Sequence, residues 1–170
     1  SGGQITGTPT AVASSMPFTV QAVDFNGCAG TRAYTISTVC PSILMTNPAT
    51  LPGATVGSAY NYTMTTTGGS SPYNYTITAG ALPPGLSFSS AGVFSGTPTT
   101  PTSGSSGVNL TMLVSDQYGC TGTRSFSLKV CPVITVAGSP PSGSTGTPYT
   151  TTFTASGSSA TPYTFAITSG

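Results

Sequence analysis

Asp24-Phe-Asn-Gly-Cys-Ala-Gly-Thr-Arg32 returns 92 residues later as Asp116-Gln-Tyr-Gly-Cys-Thr-Gly-Thr-Arg124. Flanking the second copy are Val108-Asn-Leu-Thr-Met-Leu-Val114 and Arg124-Ser-Phe-Ser-Leu-Lys-Val130, the longest strand-like runs, whose core-face residues Val108, Leu110, Met112, Val114, Phe126, Leu128 and Val130 fall at every second position. A period of two marks a strand with one buried face. Asn26-Gly27 beside Asp24 is a tight-turn signal. The pattern is therefore a hairpin whose turn carries a cysteine, and the chain contains that turn twice. Two other pairs recur: Ser1-Gly-Gly-Gln-Ile-Thr-Gly-Thr-Pro9 with Ser90-Ala-Gly-Val-Phe-Ser-Gly-Thr-Pro98, and Pro72-Tyr-Asn-Tyr-Thr-Ile77 with Pro162-Tyr-Thr-Phe-Ala-Ile167. A period of about 90 residues is the length of a whole small domain, as in a tandem array.

The order of the motifs divides the chain. Residues 1–40 carry the second half of a repeat, 41–131 a complete one, and 132–170 a first half. The expectation is a window on a longer protein. The two halves would together lack only the counterpart of Ala81–Ser89. Two arrangements are open: one period of a long covalent array, or separate subunits that complete each other's half-domains by exchanging strands.

Within 41–131 the pattern predicts short strands between Gly, Pro and Ser punctuation, with no helical period. Ser42–Asn47 is a first strand and Leu51-Pro-Gly-Ala-Thr-Val-Gly57 a turn or bulged continuation. Tyr60–Thr65, Tyr73–Thr78, Leu86–Phe88 and Val93–Ser95 are further strands, and Leu82-Pro-Pro-Gly-Leu86 is a stiff turn. With the two long runs this makes about seven strands, the count of an all-β, Ig-like sandwich. The predicted core face is Tyr60, Tyr62, Met64, Tyr73, Tyr75, Ile77, Leu86, Val108, Leu110, Met112, Val114, Phe126, Leu128 and Val130.

Tyr60…Pro72-Tyr73, Ala81-Leu-Pro-Pro-Gly-Leu-Ser-Phe88, Gly92-Val-Phe-Ser-Gly-Thr-Pro98 and Asp116…Gly119-Cys together resemble the "putative Ig" (cadherin-like) tandem repeats of large bacterial surface and secreted proteins. The resemblance covers 41–131, and the half-repeats match their own parts of it. It implies an Ig-like fold, an extracellular or cell-surface location, stalk, adhesion or matrix roles, and no catalytic residues. Calcium sites of cadherin-like relatives use several acidic residues. One aspartate per repeat does not carry that role over.

Cys28, Cys40, Cys120 and Cys131 form two recurring sets. Near neighbours are poor partners. Thr121–Val130 reads as one strand, and eleven extended residues span about 35 Å, whereas a disulfide needs Cα atoms within about 7 Å. In a seven-strand sandwich the loop holding Cys120 lies at the end where the chain comes in, and Cys40 precedes the first strand at that end. The expectation is Cys40–Cys120 within 41–131, with Cys28 and Cys131 paired to neighbouring repeats or copies. Disulfides suit an oxidising compartment.

Composition narrows the function. The chain holds 3 basic and 2 acidic residues, 3% charged, with no His and no Trp. Such a surface cannot neutralise a run of phosphates, so nucleic acid is not an expected partner, and no apolar run is long enough for membrane insertion in this segment. Paired carboxylates, an activated nucleophile and a phosphate loop are missing, so no catalysis and no cofactor or metal is expected. Asp24/Arg32 and Asp116/Arg124 flank their loops as candidate hairpin ion pairs. Asn61, Asn74 and Asn109 open N-glycosylation sequons on polar strand faces, so glycans are candidate attachments or partners. The expected function is a structural repeat segment of a long extracellular fibre, stalk or sheath, disulfide-stapled and self-associating with other copies or adjacent repeats. The alternative is an adhesin or glycan-binding Ig-like module.

Overall fold

The computed structural model describes residues 2–158 and 162–169. Every strand or helix among them is a β-strand. In chain order these are β1 (Ala13–Val23), β2 (Ala29–Thr38), β3 (Leu44–Met45), β4 (Ala54–Thr55), β5 (Tyr60–Thr63), β6 (Thr66–Thr67), β7 (Asn74–Ala79), β8 (Leu86–Phe88), β9 (Val93–Gly96), β10 (Val108–Ser115), β11 (Thr121–Leu128), β12 (Val130–Cys131), β13 (Thr135–Ala137) and β14 (Thr154–Ser156). β1 and β2 pair as a hairpin, β13 and β14 as a short ladder, and β3 to β12 build a sandwich.

One sheet of the sandwich contains β5–β9–β8 together with the β3–β6 pair, and the other contains β7–β10–β11 continued by β12 with β4. Only Met64 and Thr65 separate β5 from β6. Asn47, 6% exposed, serves that break. Its Oδ1 accepts from Thr65 N (2.7 Å), and its Nδ2 donates to the Tyr62 hydroxyl (3.0 Å) and Thr63 carbonyl (3.2 Å). A buried amide side chain thus supplies what the interrupted ladder cannot.

Leu51–Gly57 contains a strand, which corrects the reading of it as a turn or bulge. Leu51 N donates to Ser127 O and Ala54 N to Lys129 O, both at 2.9 Å. β4 then runs parallel to β12, Ala54 opposite Val130. Pro48 brings no N–H to continue pairing with β6. The chain crosses to the other sheet there, carrying Leu51 into the core at 2% exposure.

The core lies between the sheets. Phe94, Leu110, Met112, Val114, Leu128 and Val130 are fully enclosed. Burying each large apolar side chain contributes about 1.5–3 kcal/mol. Every residue of the predicted core face is buried or packed against this cluster, and Ile43, Met45, Leu51, Ala54 and Phe94 join it. The tyrosines bring their hydroxyls to partners: Tyr60 to Pro52 O (3.0 Å), Tyr73 to Gly68 O (2.7 Å) and Tyr75 to Thr66 Oγ1 (2.8 Å). In the Leu82–Leu86 turn, Gly85 has φ +89°, and a Cβ there would stand 2.1 Å from Thr97 O. That turn accepts only glycine without rearrangement.

Candidate functional site

Two of the residues singled out by their recurrence, Cys40 and Cys120, meet where β2 leads into the sandwich. Cys40 lies two residues beyond β2, and Cys120 closes the turn between β10 and β11. Their sulfurs are bonded, with Cα atoms 5.4 Å apart at a sequence separation of 80. A loop of that length gives the crosslink about 4 kcal/mol in the chain-entropy model. Cys28 is exposed and Cys131 half-buried, both as free thiols.

Asp116 organises the turn that holds Cys120. Its backbone N donates to Cys120 O (2.9 Å) and its carbonyl accepts from Gly119 N (3.1 Å). Its Oδ1 accepts from Tyr118 N and Cys120 N, each at 2.9 Å, and Oδ2 from Ser70 N at 3.0 Å, so the turn is tied to the loop before β7. Burial works to raise the Asp116 carboxyl. The amides of Ser70, Cys120, Tyr118 and Gly119 outweigh it and hold the carboxyl below its ordinary value. Asp24 repeats the motif: Oδ1 accepts from Asn26 N (2.9 Å) and Cys28 N (2.8 Å), and its backbone N donates to Cys28 O (2.9 Å).

The expected hairpin ion pairs are replaced by other contacts. Asp116 is engaged with backbone amides. Arg124 reaches from β11 to β3 of the other sheet to donate from Nη1 to the Met45 carbonyl, with its guanidinium 5.3 Å from the Phe126 ring centre. Arg32 likewise lies 5.4 Å from the Tyr34 ring centre while Asp24 caps its own turn. In both hairpins the arginine prefers an aromatic face to a carboxylate already satisfied by amides.

Gly122, in β11, went unnoticed in the sequence. Its φ is ordinary, but a Cβ there would stand 2.2 Å from the Ile43 carbonyl. The strand leading out of Cys40 lies flat across this glycine. The signal was present in the repeated Gly-Thr-Arg, read only as part of a turn.

The sequons open outward. Asn61, Asn74 and Asn109 are exposed and sit opposite Ser95, Ser115 and Ser127 on their neighbouring strands. Among the described residues no group of three or more His, Cys, Asp or Glu gathers to hold a metal ion, and no helix is long and apolar enough to cross a membrane.

Two facing all-strand sheets, a Leu-Pro-Pro-Gly turn and a crosslinked final hairpin define an Ig-like β-sandwich domain. A family model described as "Putative Ig domain" matches residues 42–131, more than half of the chain, and the chain belongs to that family. The comparison with curated proteins finds no match.

Proposed function

We propose that this chain is a structural repeat segment of a long extracellular fibre, stalk or sheath, stapled by disulfides and self-associating through adjacent repeats or further copies. The observation that carries the reading is the Cys40–Cys120 bond. It ties the end of β2, which belongs to one copy of the repeated hairpin, to the final hairpin of the next unit. A crosslink at that place resists pulling along the chain and limits bending between units. No catalytic step belongs to this reading, in keeping with a fold whose family is an Ig-like module. The low charge suits close packing, because like surfaces repel weakly, and the exposed sequon asparagines leave room for sugar that would keep such a surface soluble. The same bond suits an oxidising, extracellular setting.

The test is electron microscopy and non-reducing mass analysis of native material from the source cells. Fibres or sheaths that contain this sequence, with linked Cys40 and Cys120 peptides, are expected. Native material that is monomeric and globular, or that carries Cys40 as a free thiol, would overturn the proposal. Glycan capture on an array without fibres would favour the adhesin instead.

A further inference from the structure

The hairpin β1–β2 copies β10–β11 pair for pair. Phe18 faces Tyr34 as Leu110 faces Phe126, and Met16 faces Ile36 as Val108 faces Leu128. In the sandwich that face is enclosed. On β1–β2 it is open: Met16, Val20, Tyr34 and Ile36 are 41–44% exposed. Ile5 joins Phe18, Val20 and Tyr34 around an open groove of about 440 Å³.

Residues 132–158 and 162–169 copy the other side of the sandwich. Thr135 pairs with Ser156 and Val136 with Ala155, as Leu44 pairs with Thr67 and Met45 with Thr66. Tyr149 donates to Pro141 O (2.8 Å) as Tyr60 does to Pro52 O. A Cβ on Gly157 would stand 1.9 Å from Val133 O, as one on Gly68 would from Ser42 O. Here too the inward side is open. Val136 is 61% and Phe165 53% exposed, and with Phe153 they border a groove of about 520 Å³.

Gly30 points to the occupant. It holds the place of Gly122, where the Ile43 backbone crosses, but a Cβ on Gly30 meets nothing within 4 Å and its φ is ordinary. A glycine in a strand interior weakens the strand unless another backbone approaches it. The counterpart of Ile43 is Ile134, three residues after Cys131, as Ile43 is three after Cys40. Cys28 in turn holds the place of Cys120.

We infer that the β13–β14 ladder and residues 162–169 of one copy seat on the β1–β2 hairpin of a second copy, completing one sandwich between them, and that a Cys131–Cys28 disulfide locks the contact. This rests on the self-associating reading above and names its interface. The contact is drawn between two molecules, and a Cys28–Cys131 link confined to one chain is the outcome against it. The counterpart of Ala81–Ser89 is supplied by neither segment. In the sandwich that stretch holds β8, which pairs only with β9 at a sheet edge, so the two facing sheets do not depend on it. Locking requires a disulfide oxidant such as oxidised glutathione. One protein thiolate attacks it and expels a glutathione thiolate; the other then attacks the mixed disulfide and expels the second. Two protein thiols lose their protons and are oxidised, and the oxidant is reduced to two thiols.

The test mixes 15N-labelled and unlabelled 170-residue chain in a glutathione redox buffer and follows sedimentation and non-reducing peptide maps. Concentration-dependent assembly is expected, with Cys28–Cys131 peptides that join labelled to unlabelled chain. Gly30→Val should weaken assembly at least about tenfold by overpacking the contact. The Cys40–Cys120 peptide and the sandwich's unfolding transition should stay unchanged. Val136→Ser, on the opposing half, should do the same. Cys28–Cys131 links confined to single chains, a Cys28–Cys28 dimer, or monomers at every concentration would overturn the inference. Assembly indifferent to both variants and lacking the Cys28–Cys131 link would also overturn it, while leaving the fibre reading in place.

Discussion

Hairpins β1–β2 and β10–β11 share a register, a carboxylate-capped turn and an arginine laid over an aromatic ring, yet Tyr34 is 42% exposed and its counterpart Phe126 is 1% exposed. The difference separates what local sequence determines from what tertiary contact determines. Alternation and the Asp…Gly-Cys turn suffice to build each hairpin. Burial, and most of the stability, comes from the opposing sheet. Matched substitutions in the two hairpins therefore measure the worth of that sheet directly.

The largest contrast is expected from truncating the aromatic pair. Phe126→Ala should lower the unfolding free energy of the sandwich by about 3–5 kcal/mol, the cost of lost transfer plus cavity. Tyr34→Ala in dilute monomeric chain should leave that transition within about 0.5 kcal/mol of wild type. Urea unfolding with unchanged m for both variants would check this. Equal losses would mean that the two hairpins unfold as one unit. Breaking the staple comes next. Cys40→Ser should cost about 2–5 kcal/mol, whereas Cys28→Ser, which removes a free thiol, should leave the same transition in place.

These contrasts also show how far the sequence could be read. The long strands β10 and β11 announced their inward faces through an alternation that only Leu113 interrupts on the apolar side, and the sandwich topology placed Cys40 and Cys120 at one end. The short pieces were harder. β4 pairs with β12 only because Pro48 diverts the chain to the other sheet, and two-residue pairing leaves no periodicity to detect. Phe94 sat in a three-residue run, too short to show which side faced inward. Asn47 resembles any loop asparagine until β5 and β6 are seen to break beside it. Gly122 required knowledge of which strand crosses it. The ion-pair expectation failed because proximity in sequence says nothing about amides that reach a carboxylate first.

A smaller contrast lies in the acid limb. Asp116 has a depressed carboxyl value in the folded state, so it contributes stability that is present above the unfolded value, about pH 3.9, and lost as pH falls through the folded value. Asp116→Asn should therefore flatten the loss of sandwich stability below about pH 4, and it should loosen the loop at Ser70, whose amide bonds Oδ2. Asp24→Asn lies outside the sandwich and should leave its acid midpoint where it is. Chemical denaturation at a series of pH values reads both. An unchanged acid limb in the Asp116 variant would show that its backbone bonds do not depend on charge.

The smallest effect sharpens the comparison at the other half-repeat. Tyr60 is buried, and burial, with Tyr62 beside it, pushes its hydroxyl up to about 12. An acid raised in the folded state stabilises below its unfolded value, about 10, and that stabilisation is lost as pH rises through about 12. Tyr60→Phe should cost about 0.5–1.5 kcal/mol at neutral pH, because the Pro52 carbonyl loses its donor, and should remove this part of the alkaline decline. Tyr149→Phe breaks the equivalent bond to Pro141 on an exposed segment, where water replaces the hydroxyl, so it should cost little in the monomer. In the assembled chain the two substitutions should converge, because seating the β13–β14 segment against a second copy's hairpin would take Tyr149 out of water. A Tyr149→Phe penalty that stays negligible after assembly would place this tyrosine outside the completed core, and the equivalence of the two half-repeats would then stop at the backbone.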